Sequence, residues 1–223
     1  MKSDSKFSFG LTGNQLKIIA MITMTCDHVG LQLLPRLSFL RILGRLALPI
    51  YAWMIAEGCR HTRSRKRYLM RLASLASLCQ IVYFFAMGSL YMCILVTFSL
   101  SIGLIWAWEE KSRPWMGPAV TAGVVFLCVV LPDLLPGFYV DYGLAGILLP
   151  VFVYFGKNKI LFLSLGLGLL ALAYGGIQWW AFAALPLLML YNGQKGKANI
   201  GRLFYWYYPV HLAVIYLISL LRL

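Results

Sequence analysis

The stretch Leu16-Lys17-Ile18-Ile19-Ala20-Met21-Ile22-Thr23-Met24-Thr25-Cys26-Asp27-His28-Val29-Gly30-Leu31 decides how this chain is read. A run this apolar is expected to span a bilayer as a helix. Ionisable groups inside such a run are costly, so by default they mark a functional site. Lys17 precedes His28 by eleven residues, almost three turns, so both side chains share a face about 16 Å apart along the axis. A cation near the membrane surface and an acid–base group deeper on the same stripe suit a long anionic ligand lying along the helix.

The composition outside that run agrees. The chain is 61% hydrophobic and 12% charged, with a mean hydropathy of +0.78; a soluble domain carries about twice that charge. The expected fold is all-α: a polytopic transmembrane helical bundle, with residues 1–223 forming a single domain. Nine apolar segments are expected, over 14–34, 38–58, 68–87, 91–109, 115–134, 140–155, 159–175, 177–191 and 205–222. The sixth and eighth are short enough to be tilted, partial or re-entrant. Pro49, Pro186 and Pro209 should kink or open their helices. The first apolar run holds Asp27 and His28 and no small-residue cleavage site follows it, unlike a cleavable signal peptide. The five cysteines, at 26, 59, 79, 93 and 128, have neither zinc spacing nor the pattern of a disulfide framework.

A net charge of +13 does not signal a nucleic-acid partner here, because the cations sit in short loops between apolar segments. Arg60, Arg63, Arg65, Lys66, Arg67 and Arg71 lie between the second and third segments. Lys111 with Arg113, Lys157 with Lys159, and Lys195, Lys197 and Arg202 lie in alternate later loops. The intervening loops at 88–89, 132–143 and 174–178 carry Asp133 and Asp141 but no Lys or Arg. The positive-inside rule then places the N-terminus and the basic loops of this multi-pass chain in the cytoplasm.

Four constellations bear chemistry. Arg41 and Arg45 are four apart near the outer end of the second segment, at a depth similar to that of Asp27 and His28. A carboxylate beside a histidine fixes its tautomer and supports its conjugate acid, as a general base requires; the bland alternative is a polar knot tying helices together. Adjacent helix positions point about 100° apart, so Asp27 need not touch His28. Glu57 and His61 share a helix face before Arg60 and Arg63, and fit equally a site or a helix-end pair. Asn192-Gly193-Gln194-Lys195-Gly196-Lys197, followed by Arg202, can wrap phosphates, although it is no Walker sequence. Beyond it Tyr205 and Trp206 fit an interfacial belt, and His211 fits a hydrogen-bonded core residue as well as an active one. Asp141, ahead of Gly143 and Gly146, reads as a helix cap in preference to an acceptor contact. HExxH, GxSxG and Walker A patterns are missing from the sequence, and no metal is expected.

Leu11-Thr12-Gly13-Asn14-Gln15-Leu16-Lys17 leading to Asp27-His28, Arg41-Ile42-Leu43-Gly44-Arg45, Ala56-Glu57-Gly58 with His61-Thr62, and Phe204-Tyr205-Trp206-Tyr207-Tyr208-Pro209-Val210-His211-Leu212 resemble the TraX family over nearly the whole chain. The namesake of that family acetylates F-pilin at its N-terminus. The family is similar in turn to integral-membrane acyltransferases, whose first helix carries a basic residue, ten intervening residues and a histidine. Lys17 and His28 match that spacing.

The resemblance implies acetyl-CoA as donor and His28 as the catalytic histidine, and it does not fix the acceptor, for which a pilin-like peptide or an envelope glycan is expected; Asp27 and Arg45 are the expected catalytic neighbours of His28. Lys17, Asn192, Lys195, Lys197, Arg202, Arg60 and Arg63 would face the nucleotide. Arg41, Glu57, His61, Asp141, Tyr208 and His211 would support the acceptor side. Arg45 would stabilise the developing oxyanion. A small transporter with a buried ionisable path is the competing class, weakened by the lack of an inverted repeat. A noncatalytic scaffold explains the loops but not Asp27-His28.

Overall fold

The computed structural model describes residues 10–198 and 200–221, with the side chains at 86, 87 and 202 left out of that description. The described chain is helical apart from short turns and two strands of two residues each. It divides into two compact units, one within Met1–Tyr51 and Trp180–Leu223, the other Ala52–Trp179.

The first unit is built on α1 (Gly13–Gln32), α2 (Ser38–Gly44), the start of α3 (Ala47–His61), α10 (Ala184–Met189) and α11 (Gly201–Leu220). Helix α1 starts where it does because Thr12 and Gln15 form a capping box. The Gln15 side chain accepts from Thr12 N at 2.8 Å and the Thr12 hydroxyl accepts from Gln15 N at 3.4 Å. Its next two amides are also taken: Gly13 N donates to Gln194 O at 2.7 Å and Asn14 N to Lys195 O at 2.9 Å. A backbone bridge between Leu11 and Tyr191 holds the same loop to the chain ahead of α1.

The second apolar segment is not one helix. Pro49 cannot donate to the Arg45 carbonyl and its ring crowds it, so the chain opens into a turn at Arg45 and Leu46 between α2 and α3. Helices α1 and α2 approach closely at two glycines. A Cβ on Gly30 would lie 2.9 Å from Leu40 Cβ, and one on Gly44 would overlap the Asp27 side chain. Helix α11 runs unbroken through Pro209. The eighth segment is a tighter 3₁₀ stretch, Gly176–Ala183, leading into α10 with Pro186 in its first turn.

The second unit contains the rest of α3, then α4 (Arg65–Met87), β1 (Tyr91–Met92), α5 (Ile94–Glu109), α6 (Met116–Val125), α7 (Leu131–Leu134), β2 (Tyr139–Val140), α8 (Gly143–Phe155) and α9 (Lys159–Tyr174). A π-helical turn, Phe126–Val130, joins α6 to α7. Strands β1 and β2 pair in parallel, Tyr91 opposite Tyr139. Leu104, Val124, Phe138, Val140 and Ile147 form a core here, and Ser101 Oγ donates to Ile147 O at 2.7 Å across α5 and α8.

Length and composition mark four membrane crossings, Ser38–His61, Arg65–Phe85, Met116–Leu134 and Leu203–Leu220, where the hydropathy of the sequence suggests nine. Ile94–Glu109, Gly143–Phe155, Lys159–Tyr174 and Gly176–Met189 are apolar but shorter. Large apolar side chains face outward, Phe85 at 81% and Leu172 at 73% exposure, as helices in hydrocarbon require.

The Gly44–Asp27 contact has a measurable consequence. Gly44→Ala drives a methyl into the Asp27 side chain and is expected to cost about 1–3 kcal/mol, the usual range for overpacking. Thermal unfolding of the detergent-solubilised protein checks it, with Gly123→Ala, a helical position whose Cβ meets nothing, as the reference for the helix-propensity gain of Ala over Gly.

Candidate functional site

The first unit gathers Asp27, His28, Arg41, Arg45 and His211 from α1, α2, the turn after α2, and α11. Asp27 is the hub of the charges. Its Oδ2 receives Arg41 Nη1 at 2.9 Å, and its Oδ1 pairs with Arg45 Nη2. Arg41 Nη1 also reaches Asp27 O at 3.4 Å, and Arg45 Nε donates to Arg41 O at 3.2 Å. Arg45 is buried at 7% exposure while the Arg41 side chain keeps 25%. Two guanidiniums face the Asp27 carboxylate. The arginines are therefore not anchors snorkelling away from the helices; both turn back onto α1.

His28 pairs with the last helix and not with Asp27. Asp27 spends both carboxylate oxygens on arginines because adjacent helix positions diverge, and His28 turns to the last helix instead. His28 Nδ1 lies 2.8 Å from His211 Nε2, with the rings stacked at 5.0 Å between centroids. His211 Nδ1 lies 2.8 Å from Tyr207 O. A carbonyl oxygen only accepts, so His211 Nδ1 carries the hydrogen. The neutral ring then presents a lone pair at Nε2, which takes the Nδ1–H of His28. His28 Nε2 is left as the unprotonated nitrogen, the state a general base needs.

Aromatic side chains hold this chain of rings. The Tyr207 ring stacks on His211 at 5.1 Å, Tyr208 meets it edge-on at 5.7 Å, and the Tyr207 hydroxyl lies 2.7 Å from Thr25 Oγ1. Tyr207 and Thr25 escape the sequence reading, because their contact joins positions 182 residues apart. Lys17, lower on α1, places its Nζ 5.0 Å from the centre of the Phe204 ring.

The 192–202 loop lies at the N-terminus of α1. Its carbonyls at Gln194 and Lys195 cap that helix, and Ala198 O accepts from Asn14 Nδ2 at 2.5 Å. The loop is thus pinned by its backbone, while Lys195 and Lys197 remain exposed and Asn192 half-buried. The α1 amides do not form an empty phosphate cradle, since Gly13 N and Asn14 N are spent on the loop. The lysine side chains are what it can offer an anion. The Arg202 side chain lies outside the described residues.

The second unit holds the other expected residues in a separate network. Glu57 Oε1 takes Arg60 Nη1 and Lys159 Nζ, each at 2.8 Å. Arg60 Nη2 donates to Val153 O at 2.5 Å and Tyr154 O at 2.6 Å, closing the end of α8. Arg60 is therefore engaged by two protein carbonyls and a carboxylate. His61 Nδ1 reaches Glu57 O at 2.9 Å and the ring is exposed, so the helix-end alternative holds for this pair. Arg63 is exposed beyond it. Asp141 does not cap α8: the capping position is Tyr142, in a left-handed conformation at φ 56°, with no side-chain cap. Instead the Tyr91 hydroxyl donates to Asp141 Oδ1 at 2.7 Å, and Thr97 Oγ1 to Asp141 O at 2.8 Å.

Comparison with known proteins places these residues in context. The sequence model of the TraX protein family matches residues 12–219. A probable fimbrial assembly protein, FimC of serogroup H1, from Dichelobacter nodosus is 29% identical over 243 aligned positions, covering 90% of this chain and 93% of that protein. An uncharacterized protein of Rickettsia prowazekii (strain Madrid E) is 50% identical over 38 residues, 17% of this chain and 15% of that protein. No solved structure matches the chain.

The charge balance of the cluster orders its variants. Asp27→Ala strands two cations against each other and should cost about 3–5 kcal/mol, as for one broken partner of a buried pair. Arg41→Ala leaves a balanced Asp27–Arg45 pair and should cost clearly less. Unfolding temperatures of the two variants in one detergent give the order directly.

Proposed function

The chain belongs to the TraX family, and from that premise we propose that it is a membrane acetyltransferase. It moves an acetyl group from acetyl-CoA to an amine or hydroxyl of a cell-envelope acceptor. The observation that carries this reading is the hydrogen-bonded line from Tyr207 O through His211 to His28 Nδ1, which leaves His28 Nε2 as the base. The similarity to a probable fimbrial assembly protein of Dichelobacter nodosus supports a pilin-like peptide as the acceptor.

Each step falls to a residue of the first unit. His28 Nε2 accepts the proton of the acceptor amine or hydroxyl as its nitrogen or oxygen bonds to the acetyl carbonyl. The imidazolium that forms is held through Nδ1–H by His211, which is anchored on Tyr207 O. The same proton then returns from Nε2 to the sulfur as the thioester bond breaks. Arg45 is less suited to the oxyanion than its charge suggests, because Asp27 already neutralises it and it is buried. Arg41, partly exposed beside it, is the better placed cation.

Donor binding falls to the cations at the other end of α1. Lys17, Lys195 and Lys197 lie at or beside the α1 N-terminus, and ammonium groups there suit nucleotide phosphates. With the basic loops cytoplasmic, as the positive-inside rule requires, the donor enters from the cytoplasm of a bacterial inner membrane and its arm runs along α1 to His28.

Purified protein in nanodiscs, supplied with acetyl-CoA and an N-terminal pilin peptide, tests the reading. His28→Gln should lower turnover by about 10²–10⁴-fold, the usual contribution of a positioned base, while the protein stays folded. His211→Gln should lower turnover and also shift the acid limb of the pH–rate profile, because its carrier of the tautomer is gone. Lys195→Ala with Lys197→Ala should raise the KM for acetyl-CoA with little change in kcat, more so at low salt. Undiminished turnover in His28→Gln would remove the assignment.

A further inference from the structure

Helix α4 carries charge that the protein itself does not use. Its first residue, Arg65, pairs with Glu109. Among the described residues Lys66, Arg67 and Arg71 have neither an ion pair nor a side-chain hydrogen bond, and all three are exposed. The stretch Arg65–Phe85 is long and apolar enough to cross a membrane, and Met70, Leu78, Ile81 and Phe85 face outward along it. The three cations therefore stand where the helix leaves hydrocarbon for the headgroups.

A groove lies on the same helix. From Lys66, intervals of four, three, four and three residues lead through Met70, Ala73 and Ser77 to Gln80 and keep these positions on one face. Ala73, Ala76 and Ser77 are too small to fill the seam between α4 and α5. An open groove of about 360 Å³ remains there, with Val96 and Leu100 on its α5 side. Its polar lining is mostly occupied. Gln80 Nε2 donates to Tyr91 O at 2.9 Å, Gln80 Oε1 accepts from Cys93 N at 3.0 Å, and Ser99 Oγ donates to Leu95 O at 2.7 Å. Ala73 lies about 10 Å and Ser77 about 16 Å along α4 from Lys66, against a leaflet of about 15 Å of hydrocarbon.

We infer that this face of α4 is a binding site for an anionic phospholipid, with its phosphate on Lys66 and Arg67 and one acyl chain in the α4–α5 groove. The charge selects the headgroup, since adjacent ammonium and guanidinium groups favour a net negative partner over a zwitterion. The groove selects a lipid over a soluble phosphate, because its apolar walls lie at the depth of an acyl chain hanging from that headgroup. The site is independent of the acetyl-transfer reading.

The full chain in a maltoside detergent, titrated with dioleoylphosphatidylglycerol or dioleoylphosphatidylcholine, tests this by native mass spectrometry. The two lipids share their acyl chains and differ in net charge. One phosphatidylglycerol per chain should be retained, about tenfold or more tighter than phosphatidylcholine, and added salt should narrow the gap. Lys66→Gln with Arg67→Gln should remove the preference; if that pair does not insert, Lys66→Gln alone should reduce it. Lys111→Gln with Lys157→Gln, an equal charge loss at exposed lysines away from α4, should keep it. Ser77→Leu, which fills the groove and leaves every cation in place, should weaken phosphatidylglycerol binding several-fold. Equal affinity for the two lipids, an unchanged preference in the Lys66 variants, an equal loss in the Lys111 and Lys157 variant, or unchanged binding in Ser77→Leu would overturn the inference. So would a two-chain mass free of lipid, which would give the groove to a second copy.

Discussion

The Asp27 carboxylate is the constraint on which the first unit turns. By pairing with Arg41 and Arg45 it fastens α2 and the following turn to α1. That attachment needs the backbones close together, which is why Gly30 and Gly44 stand where any Cβ would collide. It also frees the neighbouring histidine. With Asp27 committed to one face of α1, His28 projects about 100° round the helix, toward α11. Ion pair, glycine contacts and histidine orientation are one arrangement seen from three sides.

A second constraint acts at the start of α1. Four unsatisfied amides at a helix N-terminus ordinarily make an anion site. Here the capping box and the carbonyls of Gln194 and Lys195 spend them on the protein itself. What remains for a ligand is side-chain charge. Recognition by lysines on a pinned loop is sensitive to salt, and it tolerates a long flexible ligand better than a backbone cradle would.

The two polar networks of the molecule differ in kind. In the second unit Glu57 is matched by Arg60 and Lys159, and Arg60 closes the end of α8 through two carbonyls. Its donors are absorbed by protein partners, and it reads as a clamp on helix ends. The Asp27 cluster in the first unit gathers two arginines on one carboxylate, beside a line of two hydrogen-bonded histidines. Spacing along the sequence does not separate the two, since Glu57–His61 and Arg41–Arg45 have the same four-residue interval.

The sequence by itself determined the class of the protein. Hydropathy and low charge required an apolar helical bundle, the proline at 49 marked the break in the second segment, and the cost of burying Asp27 and His28 singled them out before any contact was known. The Thr12 and Gln15 spacing also marks the start of α1. Only the tertiary structure decided who pairs with whom. His28 and His211 are separated by 183 residues, and nothing local distinguishes His211 from a core histidine or Asp27 from a partner of His28. Periodicity orients a side chain around its own helix. Which neighbour it meets is set by helix packing, and that depends on long-range contacts such as the glycines against Asp27 and the tyrosines around His211.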